Sequence, residues 1–223
     1  MNETSSSADI SSSQPAALRG IAHAISFICH PVFMPVVMSL LIYKLAPAGF
    51  AGLQPRQLGM LFISIGVSTV MFPLFSILLM KPLGFISSYT MPTARERTIP
   101  LMATMIFYFW ISHVFNNMAG VVPAALKILL MGNFWGIIAV FIANIFTRVS
   151  MHTAAAGGMV GILLVLLIIS PANMILPLFA AVVVAGIVGS ARLILGAHQR
   201  GDVWLGYIIG IIVQLGAYLY SKI

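Results

Sequence analysis

The chain has 223 residues, 61% hydrophobic and only 7% charged, with a mean hydropathy of +1.08. A soluble core does not use that composition and a polytopic membrane protein requires it; the length accommodates six or seven spans of about 20 residues and excludes a separate soluble domain. The formal charge of +7 suits anionic lipid headgroups and needs no nucleic acid to explain it. A single cysteine, Cys29, excludes an internal disulfide and reads as a packed thiol in an apolar run. The expectation is an all-α transmembrane helix bundle.

Residues 1–20 are serine-rich and lack the basic start and apolar centre of a cleaved signal peptide, so a disordered polar tail is expected there, with residues 21–223 forming one transmembrane domain. The first apolar run, Ile21 to Lys44, contains His30-Pro31 and Pro35; missing helix hydrogen bonds there predict a kinked or re-entrant span. His23 and His30 in this run read as interfacial or packing histidines. A second span is expected from Gln57 to Met80, a third from near Pro100 to Met118, a fourth from Pro123 to Phe146, and a fifth from the small-residue stretch after His152 to Ser170. The sixth is Met174 to Leu195 and the seventh Val203 to Tyr220.

Charge is scarce enough to be informative. Of four acids, only Glu96 and Asp202 lie outside the N-terminal tail, and both have arginines close by. In SSYTMPTARERTIP, the Arg95-Glu96-Arg97 cluster reads as a headgroup anchor or as an anion site in which Glu96 orients a guanidinium. After Arg148, Ser150 and His152 precede a helix whose opening amides suit an anion. Near the C-terminus, SARLILGAHQRGDVWLGY places Arg192, His198 and Asp202 at a helix-loop-helix corner, where Asp202 is positioned to cap the last helix and to hold one ring nitrogen of His198.

Two expected spans separate Arg97 from His152 and two more separate His152 from His198, which puts all three clusters on one membrane face. Arginines, histidines and one aspartate gathered there suit phosphoryl transfer without a metal or other cofactor: guanidiniums bind the phosphoryl oxygens, one histidine attacks phosphorus and the other protonates the leaving alcohol. Ligand-like spacing for a metal site is missing.

These residues resemble the type-2 phosphatidic acid phosphatase superfamily. Its third motif, Ser-Arg, five residues, His, three residues, Asp, is similar to Ala191-Arg192, His198 and Asp202; its second, Pro-Ser-Gly-His, is similar to Val149-Ser150-Met151-His152. The first motif is degraded: Thr90 stands where the family has lysine, Arg97 is followed by Thr98-Ile99-Pro100, and Arg95 is the candidate replacement for the lysine. The resemblance spans roughly Arg95 to Tyr207. It implies His198 as the nucleophile that forms a phosphohistidine, Asp202 as its orienting partner and His152 as the general acid. Arg192, Arg97, Arg95 and Ser150 would bind phosphate on a membrane lipid phosphate, in a multi-pass protein of a bacterial inner membrane.

Two other readings remain open. A phospholipid or prenyl-phosphate binding protein or transporter would use the same arginines without cleavage, and a bis-histidine haem protein would draw on His23, His30, His113 and His152. Basic residues away from the site divide evenly between the two faces, so they do not assign the side of the membrane. The headgroup and the oligomeric state are not legible.

Overall fold

The computed structural model of the protein describes residues 14–222 except 90, 92 and 119, with the backbone alone at 94 and 95. The tail expected over residues 1–20 lies outside the described residues as far as 13, and from Ala16 onward the chain is helical. All regular structure among the described residues is helical, and seven stretches are long and apolar enough to cross a membrane. The protein is therefore an integral, multi-pass helix bundle.

Proline sets the irregularities of the early spans. The first apolar run is helix α1 (Ala16–Ile28), a break, a 3₁₀ turn at Pro31–Phe33 and helix α2 (Met34–Leu45). His30 precedes Pro31 and takes the extended backbone that such a position favours, at φ −65° and ψ 132°. The second span joins α3 (Pro55–Gly66) to α4 (Phe72–Met80) through a π-helical turn at Val67–Met71, next to Pro73, whose missing N–H disturbs the helix ladder. Helix α5 (Ala94–Asn117) starts before the expected Pro100 and carries that proline inside it. Its early start follows from Thr93, whose hydroxyl accepts the Glu96 N–H at 3.3 Å. The remaining spans are α6 (Ala124–Phe146), α7 (Met151–Ile169), α8 (Ile175–Ile194) and α9 (Arg200–Tyr220), close to expectation.

Helix α7 is the axis of the bundle: 67% of its apolar window is buried, against 28–33% for the other six spans. It packs chiefly on α9. Apolar burial gives little drive between helices in lipid, so close approach of backbones takes its place, and the seam is built from glycine. A Cβ on Gly157 or Gly161 of α7 would strike the backbone of Tyr207 or Ile211; one on Gly206 or Gly210 of α9 would strike that of Ser150 and Ala154. Tyr207 then ties α9 to α8 by donating its hydroxyl to the Ala185 carbonyl.

Candidate active site

The α7–α9 seam brings the two helix starts together, and Ser150 N–H donates to the Asp202 carbonyl at 3.3 Å. Around this point stand Arg148, His152, Arg192, His198 and Asp202, with Arg97 of α5 and the α1–α2 break close by. The clusters do lie at one end of the bundle, as the crossing count requires.

His198 lies in the α8–α9 turn with its side chain only 6% exposed. Its Nδ1 lies 2.9 Å from the carbonyl oxygen of Arg148. A carbonyl only accepts, so Nδ1 carries the proton, and in the neutral ring Nε2 holds a free lone pair. The expected orienting group is thus displaced. Asp202 stands 3.9 Å from Nδ1, outside hydrogen-bond reach, and its carboxylate accepts the Gln199 N–H at 3.0 Å as half of a capping box. Burial and the Arg192 guanidinium hold the His198 imidazole below its ordinary pKa of 6.5; the Arg148 carbonyl and the Asp202 carboxylate pull the other way.

Asp202→Asn is therefore a mild change. Asparagine keeps an acceptor for Gln199 while removing a negative charge that favours the imidazolium, so any acid limb belonging to His198 moves to lower pH. Turnover falls about 10-fold or less, far short of the roughly 10⁴ seen when an aspartate alone fixes a catalytic tautomer. A pH profile of kcat/KM on the variant checks both points; a loss above 10³-fold would mean that the carboxylate holds the ring directly.

His152, in the first turn of α7, points its Nε2 at the Ser26 carbonyl of α1, 3.0 Å away. Ser26 also receives a hydrogen bond on its hydroxyl from Arg192 Nη1, at 3.2 Å. The Nε atom of Arg192 is buried and has no hydrogen-bond partner among the described residues. Arg97 donates Nε to the Met91 carbonyl at 3.0 Å. Arg97 is close enough to both Arg148 and Arg192 for their charges to act on one another, and among the described residues none of the three pairs with a carboxylate. Glu96 does not orient a guanidinium of this set; it accepts from Ser87 N–H and hydroxyl.

Ser150 is fully buried and caps α7, its hydroxyl accepting the Thr153 N–H at 3.4 Å, so it belongs to the helix start and not to an anion pocket. Arg95 has a side chain outside the described residues, as does the whole of Thr90. His30 was not expected here: its ring meets that of His152 edge to face, centroids 5.4 Å apart. Of the other histidines, His23 is exposed on α1 and His113 contacts Asn117 near the opposite end of α5.

Two cavities flank the cluster. One, of about 420 Å³, is polar and is lined by Arg148, His198, Gln199 and Asp202. The other, of about 220 Å³, is apolar; its lining runs from His30, Arg97 and Met151 between α5, α6, α7 and α9 to Asn133 and Gln214. Among the described residues no three His, Cys, Asp or Glu side chains gather as a metal site requires. No protein-family model, curated protein or solved structure matches the chain. The site therefore has to be interpreted from its own chemistry.

Proposed function

We propose that the protein is a lipid phosphatase of the membrane, acting on a phosphomonoester or pyrophosphate headgroup through a phosphohistidine. The observation that carries this reading is a pair of half-buried guanidiniums, Arg97 and Arg192, close enough for their charges to interact and without a carboxylate partner among the described residues, of which Arg97 also lines an apolar cavity. Like charges held together out of water require an anion, and planar guanidiniums match phosphoryl oxygens. A cavity walled by Met38, Tyr108, Val140 and Val213 offers an alkyl or prenyl chain the lining it needs. The resemblance of Arg192, His198, Asp202 and His152 to the type-2 phosphatidic acid phosphatases supports the same reading, including a bacterial inner membrane as the setting.

In this mechanism the Nε2 lone pair of His198 attacks phosphorus; the P–N bond forms as the P–O bond to the lipid breaks. The bound phosphoryl dianion offsets the charge of Arg192 and lets His152 take up a proton as imidazolium, its Nε2–H held by Ser26, and the ring then gives its Nδ1 proton to the departing alkoxide. Water then attacks the phosphohistidine, returning a proton to His152 and releasing inorganic phosphate. Arg192 and Arg97 hold the equatorial oxygens throughout.

The test is release of inorganic phosphate by purified protein in detergent, measured over a panel of lipid phosphates. Binding without release identifies a carrier, and neither binding nor release ends the reading. The chain cavity has its own check. Gly136 lines it, and a Cβ there meets only Val213 at an ordinary 3.5 Å, so Gly136→Leu fills the space without breaking α6. The variant is expected to raise KM for long-chain lipid phosphates about 10-fold or more, since each excluded methylene forfeits about 0.8 kcal/mol, while p-nitrophenyl phosphate is handled as before.

A further inference from the structure

His30 has no part in the mechanism above, yet the fold brings it from the first span against His152 and within range of the Arg192 charge. The chain breaks at this residue, with α1 ending two residues earlier and the 3₁₀ turn starting one residue later, and the ring lines the apolar cavity together with Arg97 and Met151. It meets His152 edge to face, and the charge of Arg192 acts on both rings.

The tautomer of His30 follows from its backbone. Its Nδ1 accepts the Val32 N–H at 3.3 Å, capping the turn that leads into α2. An accepting nitrogen carries a lone pair, so the proton is on Nε2, and the imidazolium, which donates from both nitrogens, is incompatible with that cap. Nε2 is the tip of the side chain, farthest from the backbone. The result is a neutral ring with a single N–H, on a residue that lines the apolar cavity with Arg97 and lies within range of the Arg192 charge. A neutral ring of this kind binds an anion by hydrogen bonding and transfers no proton.

We propose that His30 is a phosphate-binding residue, donating its Nε2–H to an oxygen of the bound phosphoryl group. This rests on reading the cluster as a phosphate site, but not on turnover. The ligand chemistry is a phosphoryl dianion, whether free or on a lipid headgroup.

The experiment uses the whole protein in detergent, with orthovanadate and a short-chain phosphatidic acid as probes, and binding measured by calorimetry. His30→Ser keeps an acceptor for the Val32 amide but is too short to reach the anion; His30→Asn keeps the cap and also restores an N–H. His30→Ser is expected to weaken both probes about 10- to 100-fold, the range of a hydrogen bond to a charged group, and His30→Asn to recover part of that loss. A thermal midpoint equal to that of the unmodified protein separates lost binding from lost fold, and the pH dependence of binding keeps its shape because His30 does not titrate in the complex. If both variants bind like the unmodified protein while Arg192→Met does not, His30 is only a cap and the proposal fails alone. A loss confined to the lipid makes His30 a wall of the chain cavity, which also overturns it. If the unmodified protein binds neither probe, the phosphate site and His30 fall together.

Discussion

Replacing His198 with alanine is expected to remove phosphoenzyme formation and lipid phosphate turnover together, a loss on the order of 10⁴-fold or more, since the nitrogen that attacks phosphorus is gone. His152→Ala should fail differently. The attack remains possible, but an alkoxide leaves slowly without a proton, so a lipid phosphate is cleaved about 10²- to 10⁴-fold more slowly. An acidic leaving group needs less protonation, and p-nitrophenyl phosphate should be partly rescued in this variant alone. Equal rescue of both alanine variants would mean that the roles are misassigned.

The pH profile carries a second check on the same residue. Burial and the positive charge of Arg192 both disfavour the imidazolium of His198, so its pKa lies below 6.5 and the attacking nitrogen stays unprotonated through neutrality. The acid limb of kcat/KM is therefore expected below pH 6.5. Arg192→Met removes a repelling charge and moves that limb upward, whatever it does to affinity; an unchanged limb would show that another group is titrating.

Much of this arrangement was readable where it depends on local spacing. Arg192, His198 and Asp202 lie within one helix-turn-helix, and the number of apolar spans between them and His152 decides the shared face without any knowledge of packing. What escaped sequence reading depends on contacts distant along the chain or on backbone atoms. Ser26 reaches Arg192 across 166 residues, and no periodicity in the first span announces that meeting. The group that orients His198 is a carbonyl, which every residue has; the aspartate four positions on is the more conspicuous candidate but satisfies a helix cap instead. The early start of α5 is signalled by Thr93 and Glu96, spaced as in a capping box, a pattern that the expected start near Pro100 leaves out. His30 read as a packing residue because no acid stands near it in sequence, whereas its significance comes from the proline that follows and the break that proline enforces.

The largest structural effect is expected from one added methyl group. At Gly210 a Cβ would run into the Ala154 carbonyl oxygen, the Gly158 nitrogen and the Gly157 carbonyl carbon, all backbone atoms of α7. No rotamer change relieves such a clash, so Gly210→Ala must push α9 away from the central helix, at about 3 kcal/mol or more, the upper end of overpacking costs. Gly186, whose added Cβ meets nothing within 4 Å, is the control: alanine there is expected to be neutral or slightly stabilising through better helix propensity. The consequence for function follows from the same seam, because Ser150 and Asp202 are joined across it and set the distance between His152 and His198. A displacement of about 1 Å is enough to cost about 10²-fold in rate where reacting groups must align. Gly210→Ala is thus expected to lower the thermal midpoint in detergent and to depress turnover of lipid phosphate and p-nitrophenyl phosphate alike, unlike His152→Ala, which separates the two substrates. A Gly210→Ala protein as stable and as active as its Gly186→Ala counterpart would show that the close α7–α9 contact does not hold the site together.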